Sequence, residues 1–322
     1  MKATLLKAPG QLKIEEVPVP SCPACGILVK VKACAICTSD MKMAESGHPA
    51  VIYPCIPGHE ISGVVAESKI KDLKEGDRIQ VAPGLKCGKC LACKKGADNK
   101  CKHVGIFGFN YNGGFAEFLS VPLKGSLCGS VNIIPEKVTF EEASLTEPLA
   151  CCINAQELSR VNSGDTVLIL GAGPMGCLNA MLAKIKGAQK VFLADTVERR
   201  RKLAERTEAD WLIDPGQKNV YDLVMQETSG WGIDVVILAS SEAGPAEDII
   251  RLLAPRGRIC LFSGLVSGKD RTSFDLNLIH YTEASLIGAY GNTAVQNAEA
   301  IRLISNRKID VKWLITKRIS LA

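Results

Sequence analysis

Gly58-His59-Glu60 sets an imidazole and a carboxylate side by side, in the run Pro54-Cys-Ile-Pro-Gly-His-Glu-Ile-Ser-Gly-Val-Val65. There a proline-punctuated loop turns into an apolar alternation that reads as a strand, a rigid mount for a metal corner. Upstream, Cys37-Thr-Ser-Asp40 supplies a thiol, and downstream Glu147 stands before Pro148 in a small-residue segment. A thiolate, an imidazole and a carboxylate that leave one position open are the donor set of a catalytic zinc, because Zn2+ takes tetrahedral N, S and O ligands and needs a vacancy for substrate or water. The expected ligands are Cys37, His59 and Glu60, with Glu147 either a fourth, exchangeable ligand or an anchor for the water. Taken singly, a histidine beside glycine is ordinarily a turn residue and a lone cysteine a core one; the set points to metal. Asp40 is expected to hold the imidazole in its tautomer from behind.

Cys87, Cys90, Cys93 and Cys101 have the spacing C-x2-C-x2-C-x7-C, interleaved with Gly88, Gly96 and the lysines at 89, 94, 95 and 100. Four thiolates on one short loop make a closed tetrahedral site with no room for chemistry. Nearby lysines fit this, since four thiolates around Zn2+ leave a net charge of about −2 to offset. Free surface thiols at this density would be a liability. A zinc ribbon for nucleic acid would use two paired knuckles with basic or aromatic recognition residues, which are not found. Two zinc ions per chain are therefore expected.

Gly171-Ala-Gly173-Pro174-Met175-Gly176 follows the apolar run Val167-Leu-Ile-Leu170 and opens a helical pattern running to Lys186. The first glycine permits the turn, the second lets a pyrophosphate approach the backbone, and the third packs helix on strand, with phosphate at the helix N-terminus. Asp195 ends the next apolar run, 19 residues after Gly176, where a carboxylate accepts hydrogen bonds from adenosine-ribose hydroxyls. A carboxylate there repels a 2′-phosphate, so NAD is expected over NADP. Arg199 and Arg200 pull the other way, since a 2′-phosphate would welcome them.

Cys37 with Ser39-Asp40, then Gly58-His59-Glu60, the four-cysteine cluster, Glu147-Pro148-Leu149 and the late glycine fingerprint, in that order, resemble the zinc-containing medium-chain dehydrogenase/reductase family. The likeness is greatest to its polyol branch, the sorbitol and threonine dehydrogenases, and runs over nearly the whole chain. It implies a zinc-dependent dehydrogenase that passes hydride from a secondary alcohol to NAD. A sugar alcohol, a sugar phosphate, an inositol or a hydroxy amino acid all remain open as substrate. It implies that Ser39 passes the alcohol proton away from the metal, that Arg200 lies along the adenine, and that the four-cysteine lobe braces a subunit interface in a homodimer or homotetramer. Relatives commonly carry a histidine five residues after the cysteine; here Lys42 stands there, so Lys42, His48 or water takes the proton. Polyol dehydrogenases tend to have arginine before the tyrosine matching Tyr290, and here it is Ala289, which puts sorbitol in doubt. The alternatives are a non-catalytic NAD-binding scaffold and a zinc-free reductase-like relative, but every expected ligand position is filled.

The elements that must position these residues fall into two kinds, an α/β whole. Up to about residue 150, short strands with proline and glycine punctuation read as an all-β, barrel-like domain, GroES-like by resemblance, whose long loops carry the ligands. From Gly164, six apolar runs separated by helix-length segments make a doubly wound parallel sheet, the Rossmann arrangement. The domains are placed at 1–157 and 158–289, with 290–322 returning to the first. In the resembled family the tail continues with a further helix and strand, which the sequence to Ala322 does not contain.

With 322 residues, 47% hydrophobic and 23% charged, the chain can bury two real cores. A net charge of +5 and 5% aromatics argue against a nucleic-acid surface, leaving a small-molecule alcohol or polyol as the partner. The start, Met-Lys-Ala-Thr-Leu-Leu-Lys, builds no leader, and the longest uncharged stretch, 167–183, is broken by glycines and a proline, so a cytoplasmic protein with no membrane partner is expected. Of 14 cysteines, the nine outside the zinc sets (Cys22, Cys25, Cys34, Cys55, Cys128, Cys151, Cys152, Cys177, Cys260) read as small core hydrophobes.

Overall fold

The computed structural model describes every residue except 123–129, 243, 245, 267, 274 and 322. The chain divides into two compact units, Met1–Ala150 with Asn292–Ala322, and Cys151–Gly291. The small-residue segment around Glu147 is the opening of a helix, Thr146–Leu158, whose first turn stays with the first unit. Pro148 is tolerated there because N–H groups in a first turn have no partner within the helix.

In the first unit a five-stranded antiparallel sheet runs Phe118–Pro122, Gly26–Ala35, Glu60–Ser68, Arg78–Val81, Val131–Ile133. Lys2–Leu6 pairs with Leu12–Glu16, and Gly84–Leu85 with Gly105–Ile106. Alternating β-branched residues turn one face inward, where Ile27, Val29, Ile61, Val65, Ile79, Val81, Leu119 and Val121 form the core with Phe107. The register brings the chemistry together. Ala35 pairs with Glu60 across antiparallel strands, so Cys37, just past one strand, and His59, just before the other, emerge at the same sheet end. The pairing shifts between Val31 and Ala33, an irregularity that re-aims the strand end leading to Cys37.

In the second unit six strands lie all parallel, from edge to edge Trp211–Ile213, Lys190–Ala194, Thr166–Leu170, Ile233–Leu238, Leu253–Leu261 and Ser285–Gly288. Counted along the chain this is the 3-2-1-4-5-6 order of a dinucleotide-binding sheet, whose strand order reverses between the first and fourth strands. The central strands are near-continuous apolar runs, with Val167, Leu168, Ile169 and Val235 to Ile237 fully buried, as strands covered on both faces must be.

The tail returns to the first unit through the helix Ala294–Ser305, capped by a reciprocal Thr293 and Gln296 box, and buries Ile309, Val311 and Leu314. Arg307 reaches Glu142 and donates to Lys137 O, while Arg318 donates to Glu141. Burial pushes the Glu142 carboxyl up, but the Thr139 backbone N–H and the Arg307 guanidinium outweigh it and hold it below its ordinary 4.5. A depressed carboxylate stabilises the fold above its unfolded value and loses that contribution as pH falls through the folded one. The melting-temperature difference between the native protein and Arg307→Met should therefore be greatest near neutrality and shrink below pH 4.5 in calorimetry; a constant difference contradicts this coupling.

Candidate active site

Cys37 caps the helix Thr38–Ser46, which the sequence reading did not separate from loop, and Glu60 is the first residue of its strand. The ligand candidates thus sit on element ends more than on long loops, a correction to the expectation. Asp40, third residue of that helix and 4% exposed, ties the pieces together. Its Oδ2 accepts the Cys37 N–H at 2.9 Å and its Oδ1 accepts the Gly58 N–H at 3.3 Å. The same Oδ1 lies 3.3 Å from Nδ1 of His59, within reach of a hydrogen bond but not aligned for one. Gly58 has φ +93°, and a Cβ there would meet Phe115 Cδ1 at 2.7 Å and Cys34 Sγ at 2.9 Å, so only glycine lets the chain turn into His59.

Ligand atoms of Cys37, His59 and Glu60 all lie within 4.8 Å of one another, with His59 and Glu60 buried. Glu147, 7% exposed, stays outside that set, though its charge acts on both His59 and Glu60. Burial, then the charges of Glu147 and Cys37, raise the Glu60 carboxyl well above its ordinary value. Burial also pushes the Cys37 thiol up, but His59 and Ser39 outweigh it and lower it. Anionic donors crowded around one imidazole in a buried place are the setting a cation relieves, and sulfur, nitrogen and oxygen suit Zn2+. Ser39 is half-buried beside Cys37, whereas Lys42 is exposed. His48 accepts the Ala50 N–H at Nδ1 (3.2 Å), and Phe109 packs on both His48 and His59, at ring distances of 5.3 and 5.7 Å.

The four sulfurs of Cys87, Cys90, Cys93 and Cys101 also gather within 4.8 Å. Separations of 3.5 Å for Cys90 and Cys93, 3.9 Å for Cys90 and Cys101 and 4.0 Å for Cys87 and Cys93 bracket the tetrahedral edge set by Zn–S bonds, about 3.8 Å. Backbone N–H groups of Cys87 and His103 point at Cys101 Sγ, and that of Cys90 at Cys87 Sγ. The Cys90 thiol is lowered to about 6, mainly by backbone N–H groups near Cys93 and Lys102.

All described cysteines are free thiols, and Cys22, Cys55, Cys152, Cys177 and Cys260 are buried. Cys25 is exposed, against expectation, because it sits on the turn before the strand Gly26–Ala35; Cys128 lies outside the described residues.

At the glycine loop, Gly171 has φ +111°, and a Cβ on Gly176 would meet Gly171 O at 1.7 Å. Gly173 caps the helix Pro174–Ile185, and a Cβ there would meet nothing within 4 Å, which leaves backbone open to an approaching diphosphate. Pro174 and Met175 fill the first turn of that helix. Asp195 accepts the Ala172 N–H at Oδ2 and the Val197 N–H at Oδ1, both at 2.8 Å, with Arg200 Nη1 3.5 Å from Oδ2. Its remaining lone pairs can still accept hydroxyls. A cavity of ≈ 1030 Å³ opens here, lined by Gly171, Asp195 and Arg200 and also by Lys218, Tyr221 and Ser240. The last three were missed; only the place of Ser240, just past the fourth strand at the sheet's switch point, could have flagged it. A dinucleotide fits these residues.

The description "Alcohol dehydrogenase GroES-like domain" matches residues 24–129, and "Zinc-binding dehydrogenase" matches residues 174–306. The L-threonine 3-dehydrogenase of Pyrococcus furiosus is 33% identical over 312 residues, covering 95% of this chain and 87% of its own. The chain belongs to the zinc-containing medium-chain dehydrogenase/reductase family. An L-galactonate-5-dehydrogenase of Escherichia coli is 31% identical, covering 100% of this chain and 92% of its own. Among solved structures, a zinc-binding dehydrogenase of Sinorhizobium meliloti bound to NADP aligns with a TM-score of 0.88 at 31% identity, over 96% of this chain and 89% of that one. Membership carries the GroES-like and Rossmann assignment and makes the chain an oxidoreductase of the zinc-dependent, NAD(P)-linked kind. Among the described residues no helix is long and apolar enough to cross a membrane.

The two sulfur sites should respond oppositely to loss of one thiol. Cys37→Ser is expected to lower zinc from two to one per chain with little change in melting temperature. Cys90→Ser should lower it by roughly 5 °C or more, because a structural metal contributes folding energy outright. Elemental analysis with calorimetry checks both, and a large Tm loss in Cys37→Ser alone would reverse the assignment.

Proposed function

We propose that the chain oxidises a secondary alcohol of the polyol, sugar-acid or hydroxy-amino-acid class, with Cys37, His59 and Glu60 holding a zinc ion and Glu147 as exchangeable ligand or water anchor. The gathering of thiol, imidazole and carboxylate within 4.8 Å is the observation that carries this reading. Zinc held by these residues would supply Lewis acidity toward the alcohol hydroxyl, and a nicotinamide dinucleotide held at the glycine loop would supply the hydride acceptor. The chain's own residues do the rest. Asp40 fixes the backbone on both sides of the site and sets its carboxylate beside the imidazole. Ser39 receives the hydroxyl proton and passes it outward, with Lys42, His48 or water as its destination. Gly171, Gly173, Pro174, Met175 and Gly176 hold the diphosphate, Asp195 the adenosine ribose, and Arg200 the adenine.

Asp195 supports NAD over NADP, since its carboxylate is fixed by two backbone N–H groups and cannot swing away from a 2′-phosphate. The substrates of the relatives are a hydroxy amino acid and a sugar acid, and Ala289 in place of the polyol enzymes' arginine keeps the class broad. We further place the protein in the cytoplasm as a homodimer or homotetramer, with the exposed edge strand Ser285–Gly288 as the pairing edge. The domain reading at 1–157, 158–289 and 290–322 belongs to the same proposal.

A panel of polyols, sugar phosphates, sugar acids and hydroxy amino acids, assayed for NADH formation, should find turnover with at least one class, and Cys37→Ser should abolish it. Full activity in Cys37→Ser removes the site assignment. NAD should outperform NADP, and Asp195→Ala should narrow that ratio by about tenfold or more, the kinetic trace of relieving like-charge repulsion; a native preference for NADP defeats the role given to Asp195.

A further inference from the structure

A row of side-chain amides runs from the first unit's sheet to Glu147, and no sequence motif announces it. Asn132 Nδ2 donates to Gln80 Oε1 at 2.8 Å and to Asn297 Oδ1 at 3.2 Å. Asn297 Nδ2 donates to Asn292 Oδ1 at 3.1 Å, and Asn292 Nδ2 donates to Glu147 Oε1 at 2.9 Å. Gln80 is pinned at the far end, donating to Val81 O at 2.9 Å from the middle of the sheet. Gln80 and Asn297 are fully buried.

Each of Asn297 and Asn292 spends its oxygen on one neighbour and its nitrogen on the next, so the orientation of one dictates that of the other. Turning Asn292 over would set its carbonyl against the Glu147 carboxylate and its NH2 against the NH2 of Asn297. The backbone beside Asn292 is fixed as well. Thr293 and Gln296 cap the following helix reciprocally, and Asp98, paired with Lys86 in the four-cysteine lobe, accepts the Ala294 N–H at 3.3 Å. A buried polar network of this kind is stable only when its members are satisfied, and it rigidifies what it ends on. Here it ends on a carboxylate beside the metal candidates.

We propose that Asn292 is a positioning residue for the reaction: its amide commits Oε1 of Glu147 to the fold, so that the carboxylate meets the metal site in one orientation. This rests on the reading of Glu147 as part of that site. Asn292→Ala deletes the donor, and Asn292→Asp puts a carboxylate oxygen in the donor's place while keeping the shape and the acceptor used by Asn297. Both should lower kcat/KM by about tenfold or more, the scale of a lost hydrogen bond to a charged group, with KM for the dinucleotide unchanged. In a Glu147→Gln background the same substitutions should cost less than about twofold, because a residue acting through Glu147 has nothing left to position. In cobalt(II)-loaded protein, the difference spectrum against cobalt-loaded Cys37→Ser isolates the catalytic site and should shift in both Asn292 variants. An equal loss with and without Glu147, or a difference spectrum identical to the native one, overturns the proposal. Absence of any difference between native and Cys37→Ser spectra overturns instead the metal reading beneath it. Asn292→Asp supplies the result if Asn292→Ala does not fold.

Discussion

Burying negative donors around a single imidazole is the constraint on which the first unit is built. Glu60 is raised well above its ordinary range by burial and by Glu147 and Cys37, which means that the protein alone leaves this charge poorly compensated. A divalent cation held by Cys37, His59 and Glu60 would supply that compensation. The antiparallel register between Ala35 and Glu60, the positive φ of Gly58 and the Asp40 carboxylate are consequences of bringing those donors to one point. Asp40 costs the fold a buried charge and offsets it with two backbone N–H groups and an adjacent imidazole.

The second unit solves a different problem by different means. A diphosphate needs donors and space, not compensation for buried charge, and the glycine loop provides both. Gly171 turns through a region closed to other residues, Gly173 leaves its flank open, and Gly176 lets helix and loop approach to a distance no Cβ permits. Asp195 lines the cavity while its carboxylate locks Ala172 and Val197 in place.

Much of this was legible in the sequence where the signal is local. The four-cysteine spacing encloses one loop and the glycine fingerprint one turn, so neither depends on the rest of the chain. The six apolar runs of the second unit announced its strands. The helix Thr38–Ser46 was hidden because it buries only Asp40 and Met43 and shows little amphipathic pattern. Val131–Ile133 was hidden by its shortness. The supports of the site were least legible, because Asn292 and Glu147 stand 145 residues apart, and single-sequence patterns carry no record of such pairings.

The two metal candidates show how one ion type can be given opposite tasks by donor set alone. Four thiolates would saturate a tetrahedral ion, with backbone N–H groups at Cys87, Cys90 and His103 to spread the surplus charge, and such a site would leave no position for chemistry. Three mixed donors leave a vacancy, and the nearby Glu147 is held by an amide that belongs to the scaffold. Asp98 links the two arrangements: it lies between Cys93 and Cys101, pairs with Lys86, and accepts the first N–H of the helix that follows Asn292. The four-cysteine lobe is thereby tied to the backbone next to Asn292, whose amide donates to Glu147.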